Sequence, residues 1–224
     1  MTQEKKTKKK EVESPKKKKT QSKKVVKEDK KIPTATEVFS EKRVVFITEV
    51  LNEETGSKYI NQLAYLLYLN PNEPVTIYIN SPGGLVDVGM SIISLMYLFN
   101  ATVRTVCIGK ACSMAAMILA AGTPGYRYVK ETTSGIMIHQ ISGGIWGKMD
   151  DVTATFKHMD WLNNKLASML SKYTKQPLDK IKSDFKEDYW MDPEEAKAYG
   201  IVDHILGAYH LMPFKELEYK VNND

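Results

Sequence analysis

Short apolar runs alternate with amphipathic segments over most of the chain beyond residue 43. Apolar and β-branched runs predict strands at residues 44–50, 75–80, 103–108, 125–129 and 136–138. Apolar positions at three- and four-residue steps predict helices at residues 53–70, 87–100, 113–121, 150–173 and 177–186, with one more beginning at Asp192. Because helices alternate with continuously apolar strands, the pattern predicts an α/β fold with a largely parallel sheet.

The first 31 residues differ sharply in composition from the rest of the chain. They carry fourteen lysines against five acidic residues, a charge of +9, which leaves −4 for residues 32–224 out of the net charge of +5. With few apolar residues, they cannot bury enough surface to offset the entropy lost on ordering. Residues 1–31 are therefore predicted to be a disordered Lys-rich arm, interpreted as a solubilising spacer, with weak contact to a polyanion as the alternative.

Composition excludes several classes of protein. The longest apolar runs fall well short of the roughly 18 to 20 residues of a membrane span, and the N-terminus lacks the hydrophobic core of a signal peptide. Cys107 and Cys112 are too few for a disulfide framework and have no neighbouring Cys or His to complete a metal site. We therefore expect a cytoplasmic protein that has no membrane contact and holds neither a metal nor a cofactor.

Residues 103–122 read as a buried strand that passes directly into a buried helix, with Ser113 at the joint. A helix N-terminus has backbone N–H groups without partners and a partial positive charge, so a hydroxyl there has oxyanion-stabilising donors beside it. This placement is typical of a nucleophile. Serine also fills the N-cap position of helices very often, so capping is the alternative interpretation of Ser113.

A serine hydroxyl becomes a good nucleophile when a base takes its proton and a carboxylate holds that base. His139 follows the last predicted strand, and a strand end is where an α/β sheet presents reactive groups; a structural histidine is the alternative. For the acid we prefer Asp188, because its segment reads as a loop whose aromatic residues partly desolvate the carboxylate. Asp184 and Asp192 are rivals, and Asp192 is expected to be a helix N-cap.

A Gly-Gly pair after the second predicted strand supplies a further element. Without a Cβ, its backbone N–H groups can face a ligand. The N–H of Gly84 is therefore predicted to join that of Met114 in holding an oxyanion, with a plain tight turn as the alternative. No G-x-S-x-G elbow surrounds Ser113, and the chain order Ser, His, Asp differs from the Ser, Asp, His order of the α/β-hydrolases, so that fold is disfavoured.

Several short segments of the chain match one known family together. They are YINSPGG at residues 78–84, CIG at 107–109, ACSM at 111–114, AAG at 120–122, MIHQ at 137–140, and the stretch from Asp188 through EA at 195–196 to AYG at 198–200. They occur in the family's order and nearly in its spacing, over residues 44–206. In these segments the chain resembles the Clp peptidase proteolytic subunit (ClpP), a serine peptidase.

The resemblance implies an α/β, crotonase-like fold of repeated strand-strand-helix (ββα) units with a protruding handle helix. The catalytic residues that it implies are the nucleophile Ser113, the general base His139 and the orienting acid Asp188. The oxyanion donors that it implies are the backbone N–H groups of Gly84 and Met114. The backbone positions that it implies for holding a substrate strand are Val86, Ser142, Gly143 and Gly144.

The resemblance also implies an organisation for the whole chain. A peptidase domain covers residues 32–212, with its handle at about 143–175, and residues 213–224 form a C-terminal tail. Subunits of the family form two stacked seven-membered rings, which enclose a chamber where unfolded proteins and peptides are cleaved. The expected partners are therefore further copies of the chain, a Clp-type ATPase and the substrate itself.

Some positions depart from the family pattern. About ten residues separate the Pro-containing segment at residues 32–34 from the first predicted strand at Val44, where the family has a longer segment that forms an axial pore loop and a first helix. Glu187 stands where the family has Arg, Ile141 stands where it has Pro, and one extra residue separates the nucleophile from the base. The short first segment suggests a phage-type head-maturation protease as an alternative function. A crotonase-type acyl-CoA enzyme and a non-catalytic ring subunit or polyanion-binding protein are further alternatives.

Overall fold

The computed structural model describes residue 2 and residues 34–207. Within these residues, seven strands form one mostly parallel sheet. The strands are β1 (Val44–Ile47), β2 (Val75–Ser81), β3 (Val103–Cys112), β4 (Arg127–Lys130), β5 (Gly135–Ile138), β6 (Tyr189–Met191) and β7 (His204–Leu206). Five of the strands lie in the order β1-β2-β3-β4-β7, and each neighbouring pair among them is parallel. The predicted α/β fold with a largely parallel sheet is confirmed.

The third strand is shared between two parts of the sheet. Its first half pairs with β4 at Thr105–Cys107, and its second half pairs in parallel with β5 at Lys110–Cys112. Strand β6 then lies antiparallel to β5 and extends this second branch. The predicted strand at residues 103–108 is therefore longer in the structure, because a second partner strand continues its ladder of hydrogen bonds.

Seven helices accompany the sheet within the described residues. They are α1 (Ala35–Glu41), α2 (Glu53–Leu69), α3 (Val86–Leu98), α4 (Met114–Ala120), α5 (Met149–Thr174), α6 (Leu178–Asp184) and α7 (Pro193–Tyr199). Alternate residues of a strand point to opposite faces of the sheet. Ile77 and Ile79 of β2 accordingly join the main core with the helices, whereas Tyr78 packs with a small second cluster on the other face.

The first helix was not predicted from the sequence. Thr34 and Glu37 form a capping box, in which the Thr34 hydroxyl accepts from the Glu37 N–H (3.2 Å) and the Glu37 carboxylate accepts from the Thr34 N–H (2.6 Å). This reciprocal pair satisfies two N–H groups at the helix start. The expectation that the chain lacks a first helix before the first strand is therefore wrong.

The segment after Asp188 also differs from its prediction. Residues 188–191 were expected to form a loop, but Tyr189–Met191 form β6, and the short strand β7 was not predicted. Strands of three residues have too little alternation to be recognised from a pattern of apolar positions. Their pairing with β5 and β4 stabilises them instead.

Helix α5 packs on the rest of the described chain through its C-terminal half. Its buried residues are Leu166, Ala167, Leu170 and Thr174. In the N-terminal half, Phe156 and Trp161 are 64% and 54% exposed. The predicted apolar stripe is therefore covered by this chain only in part, and the handle role of the helix stays a prediction.

Other predictions concern residues that the structure does not describe. The predicted Lys-rich arm, apart from residue 2, and the predicted tail at 213–224 lie outside the described residues. No helix among the described residues combines the length and the apolar character that crossing a bilayer requires.

A single guanidinium group joins the C-terminal ends of three helices. Arg127 on β4 donates through Nη1 to the carbonyl oxygens of Ala120 (3.4 Å), Tyr173 (3.0 Å) and Gly200 (2.8 Å), at the ends of α4, α5 and α7. Its Nε and Nη2 donate to the Asp203 carboxylate at 2.9 and 2.5 Å. A cation at helix C-termini satisfies free carbonyl groups and opposes the negative end of the helix dipole. Asp203 in turn neutralises a guanidinium that is only 8% exposed.

Asp203 makes the stability of the fold depend on pH. Burial alone would raise the pKa of Asp203, but the hydrogen bonds and the positive charge of Arg127 outweigh burial and lower this pKa below its usual value. A carboxylate whose pKa is lower in the folded state stabilises the fold above its ordinary pKa. This stabilisation is lost as the pH falls through the lowered pKa.

We predict that Asp203→Asn lowers the free energy of unfolding by about 3 kcal/mol at neutral pH. Removing one partner of a largely buried ion pair costs about 3–5 kcal/mol, and the lower end applies because the Asp203 side chain is 19% exposed. Denaturant-induced unfolding of the variant and of the unchanged chain measures the difference. As the pH is lowered through the range in which carboxylates titrate, the free energies of unfolding of the two proteins are expected to converge.

Glu54→Gln is the matched control, because it removes a carboxylate from an exposed pair with Lys58 (3.0 Å). Exposed pairs contribute little to stability, so this variant is expected to unfold like the unchanged chain. An Asp203→Asn effect that is equally small, or that persists undiminished at acid pH, would contradict the role given to Asp203.

Candidate active site

Ser113 lies between β3 and α4 in a strained backbone conformation. Its φ of 56° and ψ of −125° fall in a region that residues other than glycine rarely occupy. The Ser113 N–H donates to the Met137 carbonyl oxygen of β5 (2.8 Å), which holds the turn in place. Ser113 occupies the N-cap position of α4, but its hydroxyl makes no hydrogen bond to the first turn of the helix, so the side chain itself does not cap α4. Strain of this kind is concentrated at functional sites.

His139 presents its ring to the serine hydroxyl. The distance between His139 Nε2 and Ser113 Oγ is 2.9 Å, a good hydrogen bond. The parallel pairing of Lys110–Cys112 with Gly135–Met137 explains this proximity, because both residues follow directly on adjacent strand ends. The prediction that these two side chains meet is therefore matched by the geometry.

Asp188 approaches the other nitrogen of the imidazole. In the antiparallel pair of β5 and β6, Ile138 lies opposite Tyr189, so the next pair of residues is His139 and Asp188. The distance from His139 Nδ1 to Asp188 Oδ1 is 3.5 Å. This is longer than a hydrogen bond but short enough for charge attraction.

The environment of Asp188 differs from its prediction. Aromatic neighbours were expected to desolvate the carboxylate, but the Asp188 side chain is 61% exposed. Asp188 lies next to the end of the ladder with β5, beside His139, whereas the Trp190 ring packs further along it against Gly135. The expectation of aromatic cover over Asp188 is wrong.

The rival carboxylates are occupied elsewhere. Asp184 accepts a hydrogen bond from the Tyr199 hydroxyl at 2.7 Å. Asp192 accepts from the Glu195 N–H at 2.8 Å and caps α7, as predicted. Within residues 34–207, Asp188 is the carboxylate paired with the His139 ring.

Gly84 and Met114 each carry a backbone N–H group that has no acceptor within its own bridge or helix. Leu51 forms a parallel bridge with Gly84 and bonds to the residues on either side of it, at 2.8 and 2.7 Å. In such a bridge the N–H of the central residue points away from its partner, so the Gly84 N–H faces away from Leu51. Met114 is the first residue of α4, where an N–H has no acceptor within the helix. Gly84, Ser113 and Met114 all line one cleft.

The predicted substrate-binding residues divide into two pairs. Val86 and Ser142 line this cleft. Gly143 and Gly144 are not among its lining residues: Gly143 lies near Met159, and Gly144 lies against the ring of Trp146. A role of Gly143 and Gly144 in substrate binding stays a prediction.

The cleft has an apolar wall that the sequence did not reveal. Its apolar lining residues, contributed by several separate elements, are Val86, Met114, Met117, Ile138, Ile141, Leu166 and Phe185. Val86 and Met114 were predicted to act through their backbone, but no side chain of this set was predicted to form a cleft wall, because a pattern of apolar positions does not tell a cleft wall from a core.

The segment after His139 is held on both sides. The Gln140 N–H donates to the Phe185 carbonyl oxygen (2.9 Å), and the Ile141 N–H donates to Asn163 Oδ1 of α5 (3.1 Å). These bonds fix the backbone that carries the imidazole. A polar residue within the stripe of α5 is the sequence signal that could have identified Asn163.

The two thiols near Ser113 are poor nucleophiles. Burial raises the pKa of Cys107 to about 11. Burial also raises the pKa of Cys112, more than the charge of Lys110 lowers it. A thiol reacts as its thiolate, so the raised pKa values make both cysteines less reactive than an ordinary thiol at neutral pH. Among the described residues, no group of three or more His, Cys, Asp or Glu side chains could hold a metal ion.

A protein-family model described as Clp protease matches residues 27–208, which is most of the chain. The chain belongs to the Clp protease family. The resemblance seen in the sequence is therefore confirmed, and this Clp-family chain is a ClpP-like serine peptidase with the mixed α/β, mostly parallel fold described above. The match favours a peptidase over the alternative of a crotonase-type acyl-CoA enzyme.

We predict that Gly83→Ala lowers kcat of the Clp-family peptidase on the order of 100-fold. Gly83 has a φ of +87°, and a Cβ there would lie 2.9 Å from the Ser113 Cβ and 3.0 Å from the Met114 N. The nucleophile must therefore shift, and small displacements of a reacting group cost rates of that order. Turnover of a fluorogenic peptide measures the effect.

Gly125→Ala is the matched control for this variant. Gly125 has nearly the same φ, +84°, but a Cβ there meets no atom within 4 Å. Both variants carry the same backbone cost of about 1–2 kcal/mol, so any further loss of stability or activity in Gly83→Ala comes from the contact of its Cβ with residues 112–114. Equal activity of the two variants would show that contact with Gly83 does not position Ser113.

Proposed function

We propose that this Clp-family chain is a serine endopeptidase subunit that hydrolyses peptide bonds in unfolded proteins and peptides, with Ser113 as nucleophile. The observation that carries the proposal is the 2.9 Å hydrogen bond between Ser113 Oγ and His139 Nε2, at a strained turn in a cleft that Gly84 and Met114 also line. A hydroxyl held by an imidazole in this way is activated for attack on a carbonyl group.

The proposed reaction has two steps. In the first, His139 takes the Ser113 proton as Oγ attacks the peptide carbonyl carbon, and the N–H groups of Gly84 and Met114 hold the oxyanion. His139 then protonates the leaving amine, which departs and leaves an acyl-enzyme. In the second, His139 activates a water molecule, which hydrolyses the ester and regenerates Ser113.

Asp188 orients the imidazole in this mechanism. Its carboxylate accepts from His139 Nδ1–H and stabilises the imidazolium that forms in each step. The distance of 3.5 Å in the free protein is longer than a hydrogen bond. Catalytic hydrogen bonds are often long in free enzymes and shorten when substrate binds, so we infer that this contact closes in the substrate complex.

The lining of the cleft favours extended peptides with an apolar residue next to the cleaved bond. Its wall of apolar side chains favours an apolar residue on the acyl side of the cleaved bond. Val86 and Ser142 lie at the cleft in positions where their backbone can hold an extended peptide, and we propose that Gly143 and Gly144 continue this contact. An extended peptide pairs with such backbone in the manner of an added strand, which favours unfolded chains over folded ones.

We also propose that fourteen copies assemble as two stacked seven-membered rings that enclose the sites. The exposed apolar side chains in the N-terminal half of α5, Phe156 and Trp161 among them, support its role as the handle at the ring contact. A Clp-type ATPase that delivers unfolded substrate, and a cytoplasmic location, complete the proposal. The alternative of a head-maturation protease loses part of its support, because the first helix is present.

We predict that Ser113→Ala abolishes both peptide cleavage and labelling by a fluorophosphonate probe. The substitution removes the nucleophilic oxygen but fits the buried joint, so the melting temperature should change little. Fluorogenic peptide turnover and in-gel probe fluorescence measure the two losses. Wild-type turnover by the folded variant would exclude Ser113 as the nucleophile.

We predict that the purified chain has a native mass equal to fourteen copies of its 25.4 kDa. Native mass spectrometry or light scattering measures this directly. Phe156→Glu should reduce the mass to that of one seven-membered ring, because a charge cannot be desolvated at an apolar ring contact. A monomer as the dominant species of the unchanged chain would contradict the proposed assembly.

A further inference from the structure

The orienting acid has little direct support of its own. Asp188 is 61% exposed, and the one partner of its carboxylate within residues 34–207 is His139, at 3.5 Å. Its position therefore depends on the backbone of the turn at residues 185–188, which joins α6 to β6. Whatever holds this turn determines how well Asp188 orients the base.

One end of the turn is anchored through a buried tyrosine of α7. Asp184, the last residue of α6, accepts hydrogen bonds from the Tyr199 hydroxyl and from Lys180 Nζ, both at 2.7 Å. Tyr199 is only 5% exposed. Burial and the bond to Asp184 raise the pKa of Tyr199, so the hydroxyl stays a donor. The Asp184 side chain is 14% exposed, which strengthens its bonds relative to bonds in water.

The other end of the turn contacts the same tyrosine. Tyr189, the first residue of β6 and the neighbour of Asp188, has its ring 5.8 Å from the ring of Tyr199. The Lys180 ammonium lies 4.8 Å from the Tyr199 ring centre and 5.5 Å from that of Tyr189. Lys180, Asp184, Tyr189 and Tyr199 thus form one group, which we name the anchor cluster.

The first residue of the turn, Phe185, contacts the segment that carries the base. The Phe185 carbonyl oxygen accepts from the N–H of Gln140, the residue after His139 (2.9 Å). The anchor cluster therefore holds both ends of the turn at residues 185–188. The first residue of this turn is bonded to the residue after His139, and its last residue is Asp188.

We propose that Tyr199 is a positioning residue for catalysis, which holds Asp188 against His139 through Asp184 and Tyr189. This inference rests on the proposed function. Tyr199 touches no reacting atom, so its contribution passes entirely through the carboxylate of Asp188. Its loss should impair the chemical step and leave substrate binding nearly unchanged, because no member of the anchor cluster lines the cleft.

The test is a double-mutant cycle between Tyr199→Phe and Asp188→Ala. Tyr199→Phe keeps the ring against Tyr189 and removes only the hydroxyl, and we expect kcat to fall about 10-fold with KM changed less than about 2-fold. Asp188→Ala should lower kcat on the order of 1,000- to 10,000-fold. In the Asp188→Ala background, Tyr199→Phe should have no further effect, because the group through which it acts is absent.

Two additional variants separate positioning from stability. In Asp184→Asn the side-chain oxygen still accepts a hydrogen bond from the Tyr199 hydroxyl, so this variant should keep most of the activity. Asp184→Ala removes the acceptor, so its kcat should fall as far as that of Tyr199→Phe. Tyr97→Phe is the control: it removes a tyrosine hydrogen bond of nearly the same length, 2.8 Å to the Ala121 carbonyl oxygen against 2.7 Å from Tyr199 to Asp184, away from the turn. Melting temperatures and native masses of all variants confirm that the folded assembly is compared.

The outcomes distinguish this inference from the proposed function. If the unchanged chain cleaves peptides and Ser113→Ala does not, the proposed function stands. In that case the positioning role alone is overturned by either of two results: Tyr199→Phe leaves kcat unchanged, or it lowers kcat by the same factor whether Asp188 is present or replaced by Ala. If the unchanged chain has no peptidase activity, the proposed function itself fails. The rate of fluorophosphonate labelling provides the same comparison for variants whose turnover is too slow to follow.

Discussion

The pairing of the second half of β3 with β5 is the constraint on which the candidate site depends. Because the two strands are parallel and in register at Lys110–Cys112, the residues that follow them emerge side by side. Ser113 and His139 are those residues, and their 2.9 Å contact follows from the ladder. The antiparallel addition of β6 to β5 then brings Asp188 opposite His139. Three residues distant in the sequence are thus assembled by two adjacent strand pairings.

The joint between β3 and α4 supplies the environment of Ser113. All seven residues of α4 are buried, so its N-terminus is fixed against the sheet and its free N–H groups keep one orientation. The Gly83–Gly84 turn approaches this joint closely enough that a side chain at Gly83 would meet Ser113. Arg127 fixes the opposite end of α4 through the Ala120 carbonyl oxygen. A buried helix and a close backbone together support the proposal that developing negative charge is stabilised at this joint.

Much of this arrangement could be predicted from the sequence, and the failures have physical causes. Long apolar periods identified α2, α3 and α5, and the positions of Ser113 and His139 directly after apolar runs identified two site residues. Strands β6 and β7 depend on their neighbours for stability and leave no local pattern. The exposure of Asp188 and the apolar wall of the cleft, including Leu166 and Phe185, follow from contacts between elements distant in sequence.

The central claim is that the Ser113 oxygen forms a covalent bond with the substrate acyl group. Mass spectrometry of the intact protein, quenched in acid during turnover of a peptide ester, measures this bond directly. The account predicts an added mass equal to the acyl portion, located at Ser113 by peptide mapping and absent when His139 is replaced by Ala. An acyl group on another residue, or turnover with no covalent adduct in rapidly quenched samples, would contradict the account.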